Sequence, residues 1–178
     1  MFCLITGGSG SGKSEYAEHM VLRLGTGPRL YIATMYPFDQ ECHQRIARHR
    51  AMRAEKGFDT LECYRGLKDA DVSGYDTVLL ECMSNLTANE IYQKDGAGAG
   101  CVEAILEGVG RIRRKCRHLL IVTNEIFSDG IEYDEETKQY QKYLGEINRR
   151  LASMADAVVE VVYSIPVVQK GNPEGSDR

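Results

Sequence analysis

An α/β domain of three layers around a mostly parallel central sheet is what this sequence predicts, and three observations predict it. Continuous apolar runs alternate with segments of helical periodicity, the signature of strands covered on both faces. The first run opens directly into a glycine-rich loop that a helix follows. With 178 residues the chain is long enough for one substantial core and too short for two ordinary domains. No internal repeat or second core is visible, so residues 1–170 are expected to form one domain and residues 171–178, GNPEGSDR, a disordered tail.

The stretch Phe2 to Tyr16 reads FCLITGGSGSGKSEY. Phe2 to Ile5 form an apolar strand, and Gly7, Gly12, Lys13 and Ser14 complete G-x-x-x-x-G-K-S, a P-loop. The fold class sharpens accordingly to a P-loop NTPase-like domain. Across Gly7, Gly8, Ser9, Gly10, Ser11 and Gly12 the glycines let successive N–H groups converge on a phosphate, and the helix beyond presents its positive end there. Lys13 adds a point charge for the β- and γ-phosphates, and the Ser14 hydroxyl suits Mg²⁺. A flexible glycine-serine linker would share this composition, but the strand before it and the helix after it oppose that reading.

A helix is expected from Lys13 to Leu24, ended by Gly25 and Gly27, with Pro28 preventing its resumption. Leu30 to Ala33 make a second strand, and Thr34-Met35 stand at its carboxyl end, the edge where parallel sheets collect ligands. Thr34 suits an ordinary turn equally well. Asp39 should cap a charged helix, DQECHQRIARHRAMRAEK, terminated by Gly57. Cys42, Ile46, His49 and Arg53 recur there at helical spacing, so His49 shares the stripe of the few apolar residues. A histidine on such a stripe is usually a half-buried structural residue. The crowding of Arg45, Arg48, Arg50 and Arg53 is tolerable where solvent or an anion lies between them.

Phe58 to Tyr64 alternates like a short strand or extended connection, and RGLKDADVSGYD reads as a brief helix and turn. Glu62 could accept paired N–H groups from a guanine edge, although an exposed glutamate is commoner. The buried run DTVLLEC ends in Glu81, an acid where a P-loop protein holds its magnesium. SNLTANEIYQ looks helical, GAGAG reads as a flexible break, and Cys101 to Cys116 is an amphipathic helix leading to the strand HLLIVT and Asn124-Glu125. Asp129-Gly130 is a turn signal, Asp134 to Met154 a long charged helix, and Ala157 to Tyr163 the last strand.

The net charge of −4 and pI of about 5.6 give no general attraction to nucleic acid or anionic membrane, so any phosphate site must be local. No segment reads as a signal peptide and no apolar run approaches the roughly 20 residues of a membrane span, which points to a soluble, cytoplasmic protein. The six cysteines are scattered without C-x-x-C pairs or neighbouring histidines at zinc-finger spacing, as expected of buried or unreactive thiols.

TGGSGSGKS, YIAT, RIARHRAMR, LLEC, VTNE, GEINRRLA, and SIP followed by Lys170 together resemble the bifunctional adenosylcobinamide kinase / adenosylcobinamide-phosphate guanylyltransferase family over nearly the full length. The resemblance implies a P-loop enzyme, commonly trimeric, with two reactions. ATP or GTP first phosphorylates adenosylcobinamide; GTP then gives GMP to adenosylcobinamide phosphate through a covalent histidine-GMP intermediate, with Mg²⁺ present. It carries the nucleophile onto His49, catalytic with Lys13, and the nucleotide contacts onto Gly7 to Ser14, Ala33, Thr34, Met35, Arg50, Ala51, Met52, Arg53, Glu62 and Glu81, with Ser14 and Glu81 at the metal.

Chemistry is compatible with that assignment, because a histidine of reference pKa near 6.5 is about three-quarters neutral, hence nucleophilic, at pH 7. The sequence departs from the family where Ala54 and Phe58 replace a usual proline and tryptophan, and where SDGIEYDEETKQYQ follows Ile126-Phe127. A P-loop kinase for another small hydroxyl substrate, or a nucleotide-binding switch without small-molecule chemistry, would share the P-loop alone.

Overall fold

The computed structural model describes residues 1–38, 40–127 and 133–173, with the side chains of residues 40–42, 45, 48, 49 and 52 outside that description. Among the described residues seven strands form one sheet: β1 (Phe2–Thr6), β2 (Arg29–Ala33), β3 (Phe58–Glu62), β4 (Thr77–Glu81), β5 (His118–Val122), β6 (Ala157–Val162) and β7 (Ile165–Lys170). Their order is β3-β2-β4-β5-β1-β6-β7, every pair parallel except β6 with β7.

The period of two along each strand builds the two cores. Phe2, Leu4, Leu30, Ile32, Val78, Leu80, Leu119 and Ile121 turn to one face, where α3 (Met83–Tyr92), α4 (Cys101–Lys115) and α5 (Glu135–Met154) cover them. Cys3, Ile5, Tyr31, Ala33, Leu79, Leu120 and Val122 turn to the other, beneath α1 (Lys13–Arg23). On that side α2 (Gln40–Glu55) is joined to α1 at its end by the Lys56–Glu18 ion pair. Helices on both faces explain why the strands read as unbroken apolar runs.

The long charged helix expected from Asp134 to Met154 is α5, and Asp134 is its cap, its carboxylate accepting from Thr137 N–H at 2.7 Å. The expected cap Asp39 and the Asp129-Gly130 turn lie outside the described residues. The GAGAG segment is a short 3₁₀ turn, Gly98–Gly100, running into α4 rather than a loose break. It is held by Glu90, a carboxylate only 3 % exposed that accepts from Gly66 N–H at 2.7 Å and Ala97 N–H at 2.9 Å.

β7 departs from the sequence reading, which ended the sheet at Tyr163. The chain reverses through Tyr163 and Ser164, at φ 50° and 63°, and pairs Ile165 with Val162. Two successive left-handed residues are the geometry of the tightest hairpins. Every residue of β7 is exposed, so it carries no buried stripe, and Pro166 fits only because this is an edge strand. Of the expected tail, Gly171 to Pro173 are described and Pro173 is buried, while residues 174–178 lie outside the described residues.

The described cysteines are unpaired, and burial pushes Cys3 up to about 12 and Cys63 up to about 11, consistent with inert thiols. Among the described residues no helix is long and apolar enough to cross a membrane.

Candidate active site

The loop from Gly7 to Gly12 stands on the carboxyl end of β1, flanked by the ends of β5 and β6. Glu125 N–H donates to Gly7 O at 3.0 Å, and Ser164 N–H of the β6–β7 turn donates to Ser11 O at 2.8 Å. The glycines are required by close packing as well as by conformation. A Cβ on Gly7 would lie 2.5 Å from Val161 O, and one on Gly12, at φ +89°, would lie 2.6 Å from Ser164 Oγ. Gly12 begins α1 without a side-chain cap, leaving the first N–H groups of the helix open to an anion. Lys13 is buried and folds back over the loop, donating to Gly8 O at 2.9 Å. Ser9 and Gly10 are exposed at the tip, and the Ser11 hydroxyl is buried without a hydrogen-bond partner.

Register assembles the acidic part of the site. Ala33 pairs with Glu62 on one side and Glu81 on the other, so the last residues of β3, β2 and β4 form one row across the sheet. At strand spacing this sets the two glutamate backbones roughly 10 Å apart. Glu81 reaches the P-loop: Ser14 Oγ donates to its Oε1, and Tyr31 OH donates to its Oε2 at 2.8 Å. Burial, then the charge and hydrogen bond of Glu81, raise the Tyr31 phenol well above its ordinary value, so it remains a donor.

Above this row lies α2. Arg53, 6 % exposed, lies over the Tyr31 ring with its guanidinium carbon 4.0 Å from the centroid. Tyr31, Ala33, Met35, Ile46, Arg53, Glu62, Glu81, Cys82 and Asn85 enclose a cavity of about 140 Å³. Position 49 falls on α2 between Ile46 and Arg53, and the His49 and Met52 side chains lie outside the described ones. Arg50 is 3.8 Å from Glu62, whose other oxygen accepts from Tyr64 OH at 2.7 Å; Ala51 is exposed. A larger cavity of about 530 Å³ opens beside them, lined among others by His43, Ile46, Arg50, Glu62 and Tyr64. Burial and Glu62 push the Tyr64 phenol up to about 12.

Thr34 is used structurally. Its Oγ1 donates to Cys82 O at 2.8 Å and accepts from Cys82 N–H at 2.7 Å, and its carbonyl accepts from Asn89 at 2.8 Å. These bonds hold β2 to the chain just past Glu81, where the Glu81–Cys82 peptide is cis. Asn124 donates to Ser84 Oγ at 2.6 Å, joining the end of β5 to the start of α3. Sequence reasoning missed Tyr31 and Ser164. A tyrosine within an apolar strand reads as core, and a serine after the last apolar run reads as loop.

The structure thus brings together Gly7 to Ser14, Ala33, Met35, Arg53, Glu62 and Glu81 at one end of the sheet. Two solved structures share this architecture. Flagellar accessory protein FlaH from Methanocaldococcus jannaschii has a TM-score of 0.54 at 11% identity, covering 99% of this chain and 81% of that one. The KaiC-like protein PH0186 from Pyrococcus horikoshii OT3 has a TM-score of 0.54 at 10% identity, covering 96% and 80%. At those identities the likeness concerns the P-loop NTPase-like fold alone. The sequence comparisons are more specific. The bifunctional adenosylcobalamin biosynthesis protein CobU of Salmonella typhimurium is 32% identical over 182 aligned positions, covering 94% of this chain and 98% of the relative. CobP of Pseudomonas aeruginosa, likewise a bifunctional adenosylcobalamin biosynthesis protein, is 29% identical, covering 96% and 98%. Residues 3–168 match the family model described as cobinamide kinase / cobinamide phosphate guanyltransferase. The chain therefore belongs to the cobinamide kinase / cobinamide phosphate guanyltransferase family, bifunctional transferases of adenosylcobalamin biosynthesis.

Proposed function

We propose that this chain carries both reactions of its family and that His49 is the nucleophile of the second. In the first, the γ-phosphoryl group of ATP or GTP passes to the hydroxyl of adenosylcobinamide. In the second, an imidazole nitrogen of His49 attacks the α-phosphorus of GTP and pyrophosphate leaves. An oxygen of adenosylcobinamide phosphate then displaces the histidine, giving adenosylcobinamide-GDP and restoring the free imidazole.

The observation that carries this reading is the approach of α2, which bears His49, to the P-loop end of the sheet, with Arg53 and Glu81 lining one cavity. The N–H groups of Gly7 to Ser14 bind the phosphates, and Lys13 exchanges Gly8 O for a phosphate oxygen. Ser14 and Glu81 fit a magnesium ion: the hydroxyl, whose hydrogen bond is donated to Glu81, keeps lone pairs for a hard cation, and the carboxylate would add oxygen donors. When bound, Mg²⁺ neutralises charge on the β- and γ-phosphates. Arg53 and Arg50 supply positive charge near the α-phosphate, and Glu62 accepts N–H groups of the guanine once Arg50 and Tyr64 yield. Ala33, Met35, Ala51 and Met52 complete the nucleotide surface, whereas Thr34 is buried with its polar groups bonded to protein. Residues 1–170 act as one cytoplasmic domain, assembled as a homotrimer.

Incubation with α-labelled GTP and Mg²⁺ tests the chemistry. The expected product is an acid-labile, base-stable protein adduct that His49→Ala abolishes while much of the kinase step survives. An adduct still formed by His49→Ala, or labelled GDP alone from the wild type, would sink the assignment.

A further inference from the structure

Tyr31 has no role in the reading above, yet it touches both α2, through Arg53, and Glu81 beside the P-loop. Its ring is buried at 8 % exposure between two elements: Phe58 of β3 packs against it edge to face, with centroids 6.0 Å apart, and Arg53 of α2 covers its face at 4.0 Å. Its hydroxyl ends 2.8 Å from Glu81 Oε2. Strand register explains the reach. Tyr31 pairs with Leu79, so Glu81 lies two residues further along the neighbouring strand on the same face, a diagonal that a long aromatic side chain spans.

Glu81 therefore has both oxygens held by hydroxyl donors, Ser14 from the P-loop on one and Tyr31 from β2 on the other. The two bonds differ in what they leave the carboxylate free to do. The Ser14 bond joins the two candidate metal ligands and turns with them. The Tyr31 bond comes from a ring wedged between Arg53 and Phe58, so it fixes the carboxylate plane relative to the sheet.

We propose that Tyr31 is a positioning residue for magnesium: its hydroxyl holds Glu81 in the orientation in which the carboxylate and Ser14 Oγ face a common cation. This inference rests on the assignment of Ser14 and Glu81 as the magnesium site. Through its ring Tyr31 also rests against α2, so the placement of that helix and the orientation of Glu81 share one side chain. Outer-shell partners of this kind change metal affinity by about tenfold or more when removed.

Tyr31→Phe isolates the hydroxyl, because it keeps the ring that Arg53 and Phe58 pack against. GTP binding is followed by calorimetry across a titration of Mg²⁺, with an EDTA series as the metal-free reference. The expected result is a Mg²⁺ midpoint about tenfold higher in Tyr31→Phe, with metal-free GTP affinity unchanged. Glu81→Gln should raise the midpoint as well, and adding Tyr31→Phe to it should raise it little further, since both act through one carboxylate. A loss of metal-free GTP affinity equal to the loss with Mg²⁺ would mean that Tyr31 is merely structural, and would overturn the inference. So would full additivity of the two substitutions. If Glu81→Gln shifts the midpoint and Tyr31→Phe does not, the Tyr31 inference falls while the metal site stands. If neither shifts it, the metal assignment fails and takes the inference with it.

Discussion

Replacing Gly12 by alanine isolates how the P-loop is held. At φ +89° a side chain costs about 1–2 kcal/mol from left-handed backbone alone. The new Cβ would also stand 2.6 Å from Ser164 Oγ, closer than packed atoms tolerate, and tightly against its Cα and Cβ at 3.2 and 3.3 Å. Forced overpacking of that kind costs about 1–3 kcal/mol. The sum, about 2–5 kcal/mol, corresponds to a fall in Tm of roughly 4–20 °C at 2–4 °C per kcal/mol. Ser164→Gly separates the two contributions, because it removes Oγ and Cβ and leaves only the backbone of residue 164 near the new methyl group. In the double variant the steric part should largely vanish and the backbone part remain, a coupling of about 1–2 kcal/mol. The chain contains no tryptophan, so urea unfolding is followed by far-ultraviolet circular dichroism. If Gly12→Ala loses less than about 0.5 kcal/mol, or if its cost simply adds to that of Ser164→Gly, then the hairpin turn does not brace the loop as argued.

Two further predictions concern groups away from the phosphates. Glu90→Gln keeps one acceptor for Gly66 and Ala97 and turns an amide donor toward the other N–H, leaving a buried donor unpaired. It should cost about 2–3 kcal/mol in urea unfolding, and an unchanged midpoint would contradict this account of how the segment before α4 is held. His118 has a lowered pKa, chiefly from burial and then from the N-terminal ammonium and Arg117, and its Nδ1 is buried without a partner. Because the folded value lies below the unfolded one, stability is complete above about pH 6.5 and declines as pH falls through the unfolded value toward the folded one. His118→Gln should lose less stability than the wild type between about pH 7 and pH 5, as measured by Tm; parallel pH profiles would refute the assignment.

Much of this architecture is legible in the chain because burial on both faces writes itself into composition. FCLI, LYIA, TVLLE, HLLIV and AVVEVV are strands in the structure as they are in the sequence, and the helices between them follow their periodicities and caps. β7 is illegible for the opposite reason: IPVVQK buries neither face and carries a proline, so no local pattern separates an edge strand from a connection. Thr34 shows the same limit at the site. Its position after a strand marks a ligand-binding edge, but only the approach of Cys82 and Asn89 reveals that its hydroxyl and carbonyl are occupied by protein groups.

By itself the sequence determined that this protein grips a phosphate. The P-loop is a contiguous device whose strand, glycines, lysine and helix start follow one another along the backbone, and the family is legible from short segments in a fixed order. Tertiary structure alone decided what the loop faces. Ser14 and Glu81 are 67 residues apart, and Tyr31 stands 50 from the same glutamate. Their meeting depends on the parallel register that aligns Ala33 with Glu62 and Glu81, which side-chain packing across the sheet sets and no local spacing encodes.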